Sequence, residues 1–205
     1  MGKLFYLIGK SAVGKDSIAQ SLLADESLEL GRVVHYATRP IRDGEEEGRE
    51  YHFITAERAD ELEKTGRVIE SREYMTVYGP WRYMLVNDGQ LDLSRQDYIS
   101  TGTIESYTKV REFYGDCAVV PVYIWVETGE RLERALRRER THKDPKYAEM
   151  CRRFLSDEQD FCDENLKKAG LMNADGSVRN AFENDIREEC IERVKNFIIE
   201  VKAQN

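Results

Sequence analysis

"GKSAVGKDS", Gly9 to Ser17, is the stretch on which the fold turns. Gly9, Gly14 and Lys15 fill the fixed positions of G-x-x-x-x-G-K-[ST], but the last position holds Asp16, and the hydroxyl comes one step late at Ser17. The short aromatic and branched run "KLFYLI" precedes it, and "KDSIAQSLLADE" follows with Ile18, Leu22 and Leu23 at helical spacing. Strand, glycine-rich loop and helix in that order make a phosphate cradle. The glycines let backbone N–H groups close around oxygens, the helix presents its positive end, and the lysine reaches the outer phosphates. Gly9, Ser11, Ala12, Val13, Gly14, Lys15, Asp16 and Ser17 are therefore the candidate ATP-binding residues. An acid in the first helical turn also suits the helix dipole with no ligand present, so Asp16 has a purely structural reading as well.

Outward from this loop, strand and helix patterns alternate. "RVVHYA" (32–37) reads as a second strand, "DYISTG" (97–102) as a third, and "VVPVYIWVE" (119–127) as an apolar strand of the kind covered on both faces. Helical patterns occupy 103–114, 129–140, 147–161 and 185–201. This alternation predicts an α/β chain whose ligand sits at the carboxyl ends of the strands. From about Arg49 to Val86 the pattern changes to strand-like pieces around one helix, "AERADELEKTG", which predicts a small mixed lobe for an acceptor.

The 205 residues suffice for one sizeable core, and no repeat or linker divides them. A net charge of -8 argues against a surface for a nucleic acid polymer and favours small anions held in a local cleft. Cys117, Cys151, Cys162 and Cys190 are widely spaced and read as free thiols. The opening "MGKLFYLIGK" is too short to span a membrane and lacks a cleavage site, so a cytoplasmic location is expected.

A second constellation is "ATRPIRDGEEEGREYHF" (37–53). Arg39 and Arg42 can converge on one anion, because a guanidinium offers a planar fork to phosphate oxygens, and Tyr51 can add a hydrogen bond. A turn with solvated charges is the structural alternative. Thr38, Arg39, Arg42, Gly44, Glu45, Gly48, Tyr51 and Phe53 also match, spacing for spacing, a pattern of the guanylate kinases, and the sequence resembles that family over nearly its whole length. The resemblance implies a P-loop NTPase core with a parallel sheet, a mixed α+β acceptor lobe and a helical lid. It divides the chain into core (1–37, 87–136, 155–205), lobe (38–86) and lid (137–154). It further implies ATP-dependent phosphoryl transfer to a nucleoside monophosphate, GMP above others, with Mg2+ as cofactor and a monomer or homodimer as the assembly.

Carried onto this sequence, Glu70 in "VIE" resembles the base-reading glutamate and Tyr78 in "VYG" a second phosphate-binding tyrosine. Arg39, Arg42, Tyr51, Glu70, Tyr78 and Ser100 are the acceptor-binding candidates, and Lys15, Arg39, Arg140 and Arg153 the catalytic ones. Arg137 and Arg138 compete with Arg140 for the lid position. The acceptor oxygen of a monophosphate is already anionic, so alignment and charge neutralisation replace a general base. His35, His52 and His142 read as packing or surface residues.

Several positions depart from the family. Pro80 and Trp81 follow Tyr-Gly in place of a hydroxyl, His35 replaces a serine, and Ser100 and Gly102 replace an Asp-x-Asp. Gly-Lys-Asp-Ser in the loop resembles the ribosyl bisphosphate kinases, and adenylate kinases likewise carry their hydroxyl one place late. Asp16 is accordingly the candidate magnesium-side carboxylate. Two other readings stay open: a kinase of another phosphorylated small molecule such as ribose 1,5-bisphosphate, and a non-catalytic guanylate-kinase-like binding module.

Overall fold

All five residues of Leu4–Ile8 are buried, because helices cover both sides of the strand they form. The computed structural model describes residues 1–42, 44–76 and 79–204. In chain order the elements are β1 (Leu4–Ile8), α1 (Lys15–Ala24), β2 (Leu30–Arg32), β3 (His35–Ala37), β4 (Tyr51–Phe53), α2 (Ala56–Lys64), β5 (Val68–Thr76), β6 (Gly79–Val86), β7 (Asp97–Gly102), α3 (Ile104–Tyr114), β8 (Val119–Trp125), α4 (Thr128–Arg140), α5 (Tyr147–Asp160), α6 (Asp163–Lys168), β9 (Ala181–Glu183) and α7 (Arg187–Ala203).

The main sheet has the order β2-β7-β1-β8-β9, with every pair parallel. On one face Leu4, Tyr6 and Ile8 pack against Ile104, Tyr107 and Val110 of α3 and against Leu166 and Leu171. On the other, Phe5 and Leu7 meet Ile18 and Leu22 of α1 and Cys190, Val194 and Ile198 of α7. Each such aliphatic side chain, fully buried, contributes about 1.5–3 kcal/mol, so the strand that carries the loop is the most firmly anchored in the molecule.

The second sheet, β4-β3-β6-β5, is mixed: β3 runs parallel to β4 and antiparallel to β6, and β5 and β6 are antiparallel. Its own small core is Ala59, Leu62, Met84 and Val86. The stretch 32–37, expected as one strand, is two. Arg32 ends β2 in the main sheet and His35 begins β3 in the other. Between them the backbone of Val34 is held by one side chain, Gln90, whose Oε1 accepts from Val34 N (2.7 Å) and whose Nε2 donates to Val34 O (3.0 Å). A side chain that satisfies both backbone groups releases the strand from its ladder and lets it change sheets. Helix α6 and strand β9 carry no signal strong enough to have been expected: α6 has six residues and β9 three.

Candidate active site

The loop between β1 and α1 runs along the carboxyl end of the main sheet. A Cβ at position 9 would lie 2.4 Å from Ile124 O on the adjacent β8, so only glycine lets the loop leave β1 here. Ala12 and Gly14 both have positive φ (67° and 89°), and the backbone curls into a concave nest of N–H groups. Gly14 is the N-cap of α1 and offers no side-chain acceptor, which leaves the first-turn N–H groups for an anion. Asn184 braces the nest from below: its Nδ2 donates to Val13 O (2.7 Å), and its own N–H donates to Trp125 O (2.8 Å). Its Oδ1 is buried without a partner among the described residues.

Asp16 stands at the mouth of the nest. Its Oδ1 accepts from the Thr101 hydroxyl (2.8 Å), and Lys15 Nζ lies 3.8 Å from Oδ2. Lys15 first, then the Thr101 hydrogen bond, Arg138 and Arg153, hold its carboxyl below the usual carboxylate range against the effect of burial. Among the described residues no cluster of three or more His, Cys, Asp and Glu suits a metal ion. One carboxylate beside hydroxyls is nevertheless a donor set that fits magnesium, which takes one or two carboxylates and completes its shell with phosphates and water.

Helices α4 and α5 meet the loop through residues that flank the 137–154 segment. Arg131 of α4, 1% exposed, pairs with Asp157 (3.3 Å) and Glu158 of α5, donates to Ser11 O (3.4 Å), and lies 3.7 Å from the ring centroid of Phe154. Asp157 also accepts from Ser11 N (2.7 Å), and Glu158 from Lys10 Nζ (2.7 Å). These contacts bring Arg153 over the loop, 3.5 Å from the Ser11 hydroxyl. Arg138, exposed like Arg137 and Arg140, is within electrostatic reach of Asp16, Arg153 and Arg42. Desolvation, then repulsion from Arg153, lowers its pKa from the ordinary guanidinium value. Arg140 points into solvent.

The acceptor side is built by the second sheet. Arg39 is 4% exposed, and its terminal nitrogens form a two-pronged bridge to Glu45 (2.7 and 2.6 Å) while its guanidinium lies 5.0 Å from the Tyr51 ring centroid. Burial works against that charge and is outweighed by the Glu45 bridge and the Tyr83 and Tyr51 hydroxyls, so its pKa lies above the ordinary value. The fork expected to face a phosphate is thus committed to Glu45, and Nε is left buried without a partner among the described residues. Arg42 is exposed and only its backbone is tied, to Glu45 (2.9 Å). Tyr51 packs edge-on against Tyr83 (5.6 Å). Tyr78 lies outside the described residues.

Glu70 is at the far end of the lobe, its side chain 0% exposed. Arg72 Nε and Nη2 donate to its two oxygens (2.9 and 3.1 Å), and Ser106 donates to Oε1 (2.9 Å). Ser100 is buried and shares a 3.1 Å hydrogen bond with His35 Nε2. Burial, in spite of nearby Glu70, pushes His35 down to about 4, so it is neutral at pH 7.

The guanylate kinase family model matches residues 1–165. The chain belongs to the guanylate kinase family. Guanylate kinases of Chromobacterium violaceum and Methylobacillus flagellatus are each 32% identical to it, over 142 residues (67% of this chain, 63% of the relative) and 136 residues (66% and 64%). That of Nostoc sp. is 39% identical over 90 residues, 43% of this chain and 45% of the relative. The chain thus matches between about half and just under two thirds of the length of these curated relatives. The crystal structure of guanylate kinase from Anaplasma phagocytophilum superposes with a TM-score of 0.66 at 19% identity, covering 97% of this chain and 85% of that one, which is a likeness of fold.

Of the residues singled out from the sequence, Arg153 reaches Ser11 of the loop, Arg39 lies over Tyr51, and Glu70 and Ser100 are buried. Thr101, Arg131, Asp157 and Arg72 were not singled out from the sequence as parts of this site, whereas Asn184 lies in "END" (183–185), which resembles the family's Asn-Asp near the last helix. Arg131 sits in the run "GERLERALRRER" as one charge among many, and nothing in its local pattern separates it from Arg134, which makes an ordinary i,i+4 pair with Glu130 (2.7 Å).

Proposed function

We propose that this chain transfers the γ-phosphoryl group of ATP to GMP, giving ADP and GDP. The observation that supports the reading is that Arg138 is within electrostatic reach both of Asp16, beside Lys15 in the loop on the donor side, and of Arg42 on the acceptor side, where Tyr51 and the buried Arg39 also stand. The names of the relatives support GMP as the acceptor.

In this reading Gly9, Ser11, Ala12, Val13, Gly14, Lys15, Asp16 and Ser17 hold the ATP phosphates, with backbone N–H groups on the oxygens and Lys15 on the outer ones. Arg42 and Tyr51 hold the acceptor phosphate, and Arg39 stands behind them as a fixed positive charge. Glu70 and Ser100 belong to the base end, and Tyr78 joins the acceptor phosphate as the family resemblance implies. A monophosphate oxygen needs no base to attack, so the work of the site is alignment and neutralisation of charge on the moving phosphoryl group. Arg153 at Ser11, with Arg138 or Arg140 from the lid, would neutralise the moving phosphoryl group, and the reach of Arg138 to Asp16 supports it as the lid arginine. Asp16, with the hydroxyls of Thr101 and Ser17, would hold magnesium, which when bound neutralises the outer phosphates. Lid closure by α4 and α5 would exclude water from the transfer and limit idle hydrolysis. Core 1–37, 87–136 and 155–205, lobe 38–86 and lid 137–154 are the three parts that would move against one another. The setting in the cell is the cytoplasm. Among the described residues no helix is long and apolar enough to cross a membrane.

The test is ADP release by the purified protein with ATP and magnesium, in separate reactions with GMP, dGMP, AMP, CMP, UMP and ribose 1,5-bisphosphate. GMP is expected to give the highest kcat/KM, and ADP release with GMP no faster than without an acceptor overturns the reading.

A further inference from the structure

Glu70, with its side chain 0% exposed, cannot meet a base directly: Arg72 and Ser106 cover it. What the base end of the hollow offers instead is Arg72, whose side chain is 10% exposed. A guanidinium has five N–H bonds. Arg72 spends one from Nε and one from Nη2 on Glu70, and one from Nη1 on the Thr103 hydroxyl (3.2 Å). One N–H therefore remains on each terminal nitrogen without a partner among the described residues, and these two nitrogens form the end-on fork of the side chain. The fork is fixed rather than loose, because Glu70 grips its side and Thr103 caps α3 at the same point. Arg72 stands opposite Tyr83 in the β5–β6 ladder, and the Tyr83 ring packs edge-on against that of Tyr51 (5.6 Å), which puts Arg72 on the same face of the second sheet as the acceptor-side tyrosine.

Guanine carries two adjacent acceptors, O6 and N7, on one edge, and a forked guanidinium matches them with two parallel hydrogen bonds. Adenine presents a donor where guanine has O6, and so meets an N–H with an N–H. We propose that Arg72 is the specificity-determining residue of the acceptor site and reads the O6/N7 edge of guanine with its end-on fork. Glu70 is then a positioning residue that orients the fork. This rests on the GMP reading and adds to it which edge of the base is recognised and by which side chain.

The test uses the full chain with GMP, 7-deaza-GMP (N7 replaced by carbon), 6-thio-GMP (O6 replaced by a weaker acceptor) and IMP (no 2-amino group), measuring Kd by calorimetry and kcat/KM by ADP release. The wild-type protein is expected to lose about tenfold or more with 7-deaza-GMP and 6-thio-GMP, and to take IMP within a few-fold of GMP. In Arg72→Ala the analogues and GMP are expected to bind alike, with KM for GMP raised and kcat changed much less. Arg72→Gln keeps a donor for Glu70 should the alanine variant unfold, and the same levelling is expected of it. If 7-deaza-GMP serves as well as GMP while IMP is rejected, the base is read from its other edge by Glu70 and the inference falls alone. A 7-deaza penalty that persists in both variants overturns it too. If the wild-type protein binds neither GMP nor IMP, the guanine reading itself fails and takes this inference with it.

Discussion

At the scale of single residues, the site depends on charges whose neighbours fix their state. In the proposed function Lys15 is the loop cation that meets the transferred group, and its value lies in the transition state more than in binding. Lys15→Ala should cut kcat by about two to three orders of magnitude with an unchanged thermal unfolding midpoint, and near-normal turnover would speak against its role. Asp16 is held ionised by Lys15 and Thr101, so Asp16→Ala should raise the magnesium concentration at half-maximal rate. An unchanged requirement would leave only the helix-dipole explanation for this acid. His35 supplies a pH signature. Unfolded, it takes up a proton near 6.5, and folded only near 4, so between those values the unfolded chain binds more protons and stability rises with pH. The contribution is complete above pH 6.5, falls as the pH drops toward 4, and amounts to about 2 kcal/mol lost by pH 5. Urea unfolding at pH 7 and pH 5 should show that loss in the wild type and a smaller one in His35→Gln, whereas parallel losses would place the titration elsewhere. Of these residues Lys15 and Asp16 were legible from the motif. His35 was legible only as a residue and not as a buried, neutral one, because its burial comes from β3 joining the second sheet.

At the scale of elements, the contact between lid and loop is a chain of charges: Lys10 to Glu158, Glu158 and Asp157 to Arg131, and Asp157 to the N–H of Ser11. The chain ties α5 to the loop while leaving the lid arginines above it. Removing one member leaves the buried Arg131 with half its counter-charge, which is costly in a site closed to water. Asp157→Ala should make amide exchange in residues 147–160 at least roughly tenfold faster while β1 is unchanged, and equal exchange in α5 would show that the ion pairs do not hold it. The sequence foretold the long helices within a residue or two: α3 and α7 repeat apolar positions over about three turns or more, and α4 and α5 are runs of good helix formers. It did not foretell that residues 32–37 divide between two sheets: Val33 and Val34 look like strand, and the break is made by Gln90, fifty-six residues away. A contact so distant in sequence leaves no local trace. Similarly, β9 is a three-residue strand whose place is set by pairing with Tyr123–Trp125 rather than by its own composition.

At the scale of the whole molecule, the parallel sheet carries the phosphate loop and the mixed sheet carries Tyr51, and the proposed function makes the first the donor cradle, the second the acceptor cradle and residues 137–154 the lid. The phosphate loop and the Thr-Arg pattern were the legible parts of the proposed site, because each needs fixed residue types at fixed spacing. The base end was less legible: Glu70 could be named from its resemblance, but its cover by Arg72 follows from β5 running beside α3, which no local pattern displays. The central claim is that the two cradles lie one phosphoryl transfer apart. A single compound with adenosine and guanosine joined through five phosphates measures that distance, since it fits only if both cradles are filled together. Calorimetry should give one molecule bound per chain, far more tightly than ATP or GMP alone, with affinity lost in both Lys15→Ala and Arg42→Ala. Binding no tighter than that of ATP, or insensitive to Arg42→Ala, would contradict the account.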